Sequence, residues 1–538
     1  MMRRCTNPGA SGRLTYISTL LAALLAAFLL ALSSAPALAQ GQGAAAPRSS
    51  PQALVAIERL ALRAAPREGA AALAELTQGD LLEVRGQRLD HLQVYDHRRE
   101  RAGFVRSDAV RRIDLAPAQA DELLAVLRFL RNAPGQEALG IAYVAAYLQA
   151  APAARIGAEP FDALGTMAER LARRAATSPQ AGERSDRAVA QLDAVAAYGV
   201  RFVTLEREGR LHTCYDGEAF QRVLALGPDA AQQARAMLAL TRHDCVDPML
   251  TPAARAAHDA WRADLLDRPW PQGYNEVPAV LKNRLHLRRA GLWAARAHQL
   301  ARLSRPTQAA AERALAELAT VDKSEFTDED QIEYADAAIR VGAVRWAALP
   351  AVVPAATDVA ARALRLVTRP GTEPGQTCVQ LLQAESAGQS HGQGANAGPR
   401  LLTERCTFGT VWTSSASVRP GGEALALSVQ PLEGWTELWL FRPESATTQA
   451  SPWRVDVLPP AAAAPGLGYV EFAGWVPGAQ PRVLVARESR IEGRLSRRFE
   501  VLALDTLDPV KQASTPNLLV AFGQWSDAQW RRRTVALR

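Results

Sequence analysis

The sequence predicts a multidomain α+β protein: a small β-rich unit at the N-terminal end, an all-α middle of helical hairpins, and a β-rich C-terminal domain. Three observations predict it. Short β-like runs fill residues 53–114, apolar residues recur at helical spacing from Pro117 to about Val367, and beyond Cys406 the alternation returns to a period of two. At 538 residues the chain is long enough for two to four domains.

Ahead of these units, Arg3, Arg4 and Arg13 precede the apolar run "LLAALLAAFLLAL" and then "SSAPALAQ". That is the order of a signal peptide, so cleavage is expected after Ala39, leaving 40–52 as a linker. The expected destination is periplasmic or secreted; an uncleaved anchor is the alternative. Position 40 is Gln, which speaks against a lipidated N-terminus, and "CTNPGA" after Arg4 speaks for Sec rather than twin-arginine export. No other apolar segment reaches membrane length, so no stable membrane span is expected after cleavage. The signal peptide takes three arginines out of the formal charge of +7, and only Lys282, Lys323 and Lys511 of the 62 basic residues are lysine. Near-balance plus export argues against nucleic acid as a partner. The closing "WRRRTVALR" reads as a solvated final strand.

Residues 53–114 contain "LALRAAP", "AALAELTQGDLLEVRG", "HLQVYD" and "RAGFVRSDAV". Leu62, Arg63 and Pro66, then Leu76, Gly79, Leu82 and Val84, then Val94, then Gly103-Phe104-Val105 follow the order of an "N-V-R-x-x-P" strand, a "G-x-L-x-x-G-x-x-V-x-V" hairpin, a "W-x-x-V" strand and "G-Y-V". In that order the segment resembles the bacterial SH3-like domain, which implies a small β-barrel. One departure is that His91 and Leu92 stand where the family commonly has Trp. The resemblance implies recognition of cell-wall peptide or of an envelope protein. Strand ends and turns of such a barrel would carry the contacts, and they hold Arg63, Arg67, Tyr95, Arg98, Arg99 and Arg101. Planar guanidinium groups suit carboxylates on peptides. The competing reading is that these arginines only solubilise an Ala-rich chain.

The helical domain is expected over 115–370. Leu123, Val126, Leu127 and Leu130 share one face, and "GQEALGIAYVAAYLQAAP" and "LRRAGLWAARAHQLARLSR" repeat the pattern. Within it lie two His-x-Cys pairs, His212 with Cys214 and His243 with Cys245. Asp216 reads as the N-cap of a helix burying Phe220, Val223 and Leu224, and a second helix follows after "GPD" with Ala230, Ala234, Met237 and Leu238 on its face. An antiparallel pair would bring both cysteines to one open end. Zinc would need both pairs extended at once. The even count of mature cysteines and an oxidising destination favour disulfides Cys214–Cys245 and Cys378–Cys406, with no metal and no cofactor.

Two motifs fail on context. "GQSHG" (388–392) matches a nucleophile elbow, but it sits in a Gly/Ser/Gln-rich linker over 371–405, so Ser390 is not expected to be catalytic. "DKSEFTDEDQIE" (322–333) has Thr327 where a calcium loop demands Gly; Thr327 reads instead as a helix cap. His286 and His298 read as partly exposed helix residues.

The domain at 406–538 holds an internal echo. Pro420-Gly421 aligns with Pro477-Gly478 and "LWLF" with "EVLAL", each within strand, turn, strand. This resembles blades of bacterial β-propellers. Two blades cannot close a propeller, so a two-sheet sandwich is expected, with Trp435, Trp439 and Trp475 as packing. No coherent catalytic set emerges, which favours an exported binding or scaffold role; the alternative is an envelope hydrolase with a site assembled from dispersed residues.

Overall fold

Seven short strands with inward Leu and Val side chains open the computed structural model, which describes residues 51–176, 183–207, 210–271, 273–349, 364–383, 399–444, 452–462, 466–491 and 493–535. The expected signal peptide and Ser390 lie outside the described residues. The strands are β1 (Gln52–Val55), β2 (Arg59–Arg63), β3 (Ala72–Thr77), β4 (Leu81–Arg88), β5 (His91–Asp96), β6 (Arg101–Arg106) and β7 (Val110–Ile113). They form one antiparallel sheet in the order β3-β2-β6-β5-β4-β1-β7. Leu62, Leu76, Leu82, Leu92, Val94 and Val105 make its core. Leu54 faces away, into the helices. Gly79, at φ +89°, lets the turn before β4 lie on a helix: a Cβ there would stand 2.8 Å from the Ala138 carbonyl oxygen.

Ten helices follow among the described residues: α1 (Ala120–Arg131), α2 (Glu137–Ala150), α3 (Ala158–Ala176), α4 (Glu183–Ala196), α5 (Glu218–Ala225), α6 (Ala230–Leu240), α7 (Pro252–Leu266), α8 (Ala279–Arg302), α9 (Gln308–Ala319) and α10 (Asp328–Val344). Leu123, Leu127 and Leu130 are buried as the spacing of α1 predicts. α8 is the spine, buried on most of its circumference. Its Ala290, Ala294 and Ala297 meet Ala310, Ala311 and Ala314 of α9 and Ala337 and Ala338 of α10. Alanine at the contacts lets helix axes approach closely. Thr327 caps α10 in a capping box with Asp330, as read from the sequence.

The helical stretch is not unbroken. A hairpin, β8 (Phe202–Arg207) and β9 (Arg210–Tyr215), stands between α4 and α5. Cys214 therefore lies on a strand rather than at the mouth of a helix pair. Asp216 is not the N-cap: Gly217 takes that place at φ +84°, and Asp216 accepts from the Glu218 amide at 3.0 Å.

The helical reading also runs too far. β10 (Leu364–Pro370) pairs with β11 (Thr377–Gln383), and β11 with β12 (Arg400–Thr407), so strands occupy both ends of the segment read as a linker. The reason is apolar alternation: Leu364, Leu366, Val379 and Leu381 all point into one core. That core includes Leu425, Leu427, Val429, Trp439 and Phe441 from a larger sheet. The larger sheet comprises β13 (Thr410–Val418), β14 (Leu425–Leu432), β15 (Trp435–Pro443), β16 (Trp453–Leu458), β17 (Leu467–Val476), β18 (Arg482–Ile491), β19 (Arg494–Ala503) and β20 (Pro509–Ala513). The echoed segments are its hairpins β14–β15 and β18–β19. The halves are joined in one sheet by a two-residue parallel pairing of β15 with β17. Leu438 and Leu440 of one half meet Val470, Phe472, Val483 and Val485 of the other in a single apolar layer. Trp435 and Trp439 are buried, and Trp475 packs beside that layer.

The expected final strand is a helix. After α11 (Val520–Trp525), α12 (Ala528–Arg533) starts at Asp527, whose side chain accepts from the Gln529 and Trp530 amides. Capping outweighs the β-like look of the run. Trp530 is buried and donates its indole N–H to Glu471 Oε2 at 2.8 Å, and Thr534 bonds the same oxygen. Arg345 Nη1 lies 2.5 Å from Glu471 Oε1, an ion pair set off the hydrogen-bond line.

Candidate functional site

Most of the six residues singled out near the N-terminal end are engaged by the fold itself. Arg99 donates to Asp80 at 2.9 Å and to Asp96 at 2.7 Å, and both carboxylates are buried. Arg98 pairs with Asp80 at 3.1 Å and reaches the Asp193 carbonyl of α4 at 2.9 Å. Arg101 donates to the Leu73 carbonyl at 2.6 Å and Arg63 to the Ala70 carbonyl at 2.9 Å. Tyr95 lies under Arg85, 4.0 Å from guanidinium carbon to ring centre, with His97 at its edge. Arg67 alone points out with no described side-chain partner. The neighbourhood is a joint: Tyr198 donates to the Gly79 carbonyl at 2.5 Å, and Gln78 bonds both Gln136 and Gln191.

The two His-x-Cys pairs do converge. Cys214 and Cys245 form a disulfide with Cα atoms 5.8 Å apart, and Cys378 and Cys406 form the other across paired positions of β11 and β12. The thiolates that zinc would need are consumed. His212 and His243 instead line a cleft of about 400 Å³ against the first disulfide. The cleft lies between the end of α3, β9, the segment after α6, α8, α10 and Arg490 of β18. Its volume falls within the range of small-molecule sites.

Its walls carry mixed charge. Five arginines, Arg173, Arg242, Arg288, Arg340 and Arg490, face four carboxylates, Asp244, Glu329, Glu333 and Asp336. Several are already paired: Arg173 with Glu329, Arg490 with Asp336, Arg242 with Asp244 and, at 3.0 Å, with Glu169. Burial works against the Asp244 carboxylate, but Arg242 holds its pKa well below the usual range. Arg288 donates to the Leu238 carbonyl at 2.7 Å and stands 3.8 Å from Glu333; burial pulls its pKa down. Arg340 donates to Glu433 at 3.2 Å.

His243 is fixed by its neighbour. Arg262 Nη2 stands 3.0 Å from His243 Nδ1, and because arginine has no acceptor, Nδ1 must accept and the ring proton sits on Nε2. Burial, then the charges of Arg262 and Arg340, drives the pKa of His243 well below its ordinary value, so the ring is neutral. Nε2–H is enclosed and finds no partner among the described residues. A Cβ on Gly291 would meet it at 2.8 Å and would stand 3.4 Å from Arg340 Cδ, so the glycine leaves this corner of the cleft open. Sequence reasoning found the histidines but not Arg288, Glu333 or Arg340; the spacing Glu329, Glu333, Asp336, Arg340 along one helix face was the available signal.

Of the two helix histidines, His286 is partly exposed as read and His298 is not. His298 is buried, its pKa lowered to about 4 by desolvation. His286 Nδ1 is 2.6 Å from Glu317 Oε2, and Tyr274 Oη is 3.2 Å from His286 Nε2. This order of hydroxyl, base and orienting acid matches a nucleophile relay. Burial raises the pKa of Tyr274, which keeps the phenol protonated and a poor nucleophile. No family model, curated protein or solved structure matches this chain.

Proposed function

We propose that the chain is an exported, non-catalytic binding protein of the bacterial cell envelope, and that its ligand site is the central cleft rather than the arginines of the N-terminal sheet. One observation carries the choice of site. In the cleft, unspent hydrogen-bonding capacity faces open volume, whereas at the N-terminal joint Arg98 and Arg99 are spent on Asp80 and Asp96. Export is supported by two disulfides and by the absence, among the described residues, of any helix long and apolar enough to cross a membrane. Cell-wall peptide remains the favoured ligand because it carries both carboxylates and amines, which suit walls of both signs. The SH3-like reading of the N-terminal sheet then makes that sheet a docked module rather than the ligand site.

The test is equilibrium dialysis of the full chain against peptides released from purified cell wall. Binding is expected. It should weaken at least tenfold in Glu333→Gln, and it should be unchanged in an Arg63→Ala/Arg67→Ala/Arg101→Ala variant. Absence of binding, or binding lost only in the second variant, overturns the proposal.

A further inference from the structure

Resting on the cleft as the ligand site, we infer that its occupant is a short extended peptide with both ends free, about three residues long, its ammonium group at Glu333 and its carboxylate in the corner made by His243, Gly291 and Arg340. The charges of α10 are laid out in that order. Glu329, Glu333, Asp336 and Arg340 follow at steps of four, three and four residues, so they share one face, and all four line the cleft. Glu329 and Asp336 already hold Arg173 and Arg490. Glu333 has only the 3.8 Å contact with Arg288 as its described ion pair, too long for a hydrogen bond, so its oxygens can take donors from a ligand.

At the other end, the enclosed Nε2–H of His243 lacks an acceptor among the described residues, and the Arg340 side chain passes the same corner, its Cδ 3.4 Å from where a Gly291 Cβ would stand, on its way to Glu433. A buried donor without a partner costs stability, and an incoming carboxylate would remove that cost. The distance between the poles sets the length. Seven residues of helix rise about 10 Å, and an extended peptide covers about 3.4 Å per residue, so three residues span the gap. Ile332, half exposed at the rim, and the apolar Leu287 and Ala337 offer contact for the middle residue. Near-balance of the wall charges, five against four, argues against a polyanion, which would leave carboxylates facing like charge.

Calorimetric titration of the full chain with Ala-Ala-Ala, its N-acetyl form and its C-terminal amide tests this. The free tripeptide is expected to bind, and each capped form at least tenfold more weakly. Glu333→Gln should erase the difference between free and acetylated peptide while keeping the preference for a free carboxylate. Gly291→Ala, which fills the other corner, should instead erase the difference between acid and amide. If cell-wall peptides bind through the cleft but the tripeptide fails to bind or the three forms bind equally, the two-pole assignment falls and the cleft survives as the site. If neither the tripeptide nor cell-wall peptides bind, the cleft reading falls with it.

Discussion

Two arginine clusters occupy this molecule, and they are put to opposite uses. At the joint between the N-terminal sheet and α4, Arg98 and Arg99 turn onto Asp80 and Asp96, whose side chains are nearly inaccessible, and Arg98 continues to a helix carbonyl. In the central cleft, arginines come from five separate segments and stand around a volume of about 400 Å³, with one enclosed imidazole N–H still unpaired. The density of arginine in a stretch of sequence is therefore no guide to where a ligand sits. What separates the two is whether the donors are already satisfied by the fold.

The largest expected effects test which cluster is structural. Replacing Cys214 and Cys245 by serine removes a closed loop with a sequence separation of 31, which should cost about 3.5 kcal/mol in a urea titration. It should also abolish peptide binding, because β9 and the segment after α6 form cleft wall. Replacing Cys378 and Cys406 should cost a similar amount and leave binding intact. Next, Asp80→Ala strips a carboxylate from both Arg98 and Arg99 and an acceptor from the Thr77 amide, and should destabilise by about 3 kcal/mol without touching affinity for the cleft ligand. Loss of affinity in that variant would break the comparison, since it would make the joint part of the site.

Acid sharpens it further. Burial holds the pKa of His298 at about 4, below the value near 6.5 of an exposed histidine, and that of His243 also lies well below. As the pH falls through 6.5 the unfolded chain gains protons that the folded chain does not, so stability present at pH 7 is lost on the way down to 4. His298 alone should contribute about 2 kcal/mol of that loss between pH 7 and pH 5. A denaturation series in His298→Gln should show a correspondingly flatter pH dependence. The smallest effect belongs to Arg67→Ala, expected within about 0.5 kcal/mol of the parent because the side chain is exposed and has no described partner.

Much of this was legible in residues and some was not. The period of the apolar pattern told strands from helices over 53–114 and along α1, and the strands of the C-terminal sheet were legible from turn signals around short apolar runs, although β14, β15, β17 and β18 are buried on both faces. The disulfide partners were legible too, though for a different geometry, since an isolated pair of strands such as β8 and β9 has little periodic signal: Val203 and Leu211 are exposed. β10 and β11 were missed because short alternating runs stood beside a Gly- and Gln-rich tract whose composition dominated the reading. The cleft was half visible. Cys214, Cys245 and their histidines announced themselves by spacing, and Arg340 shares a charged helix face with Glu333, whereas Arg288 becomes a site residue only through the packing of α8 on α10, which no local pattern encodes.

The ion pair between Arg345 and Glu471 has a consequence for the order in which the chain is made. Arg345 closes the helical region, but its counter-charge is carried by β17, and the remaining acceptor demand of that carboxylate is met by Trp530 and Thr534. During synthesis the guanidinium must wait in water until β17 has emerged, and the carboxylate until α12 has. The helices therefore cannot seal their last turn alone. The two halves of the protein are bound to finish folding together, with the late helix acting as the keystone of a structure that begins at β1, near the other end of the described chain.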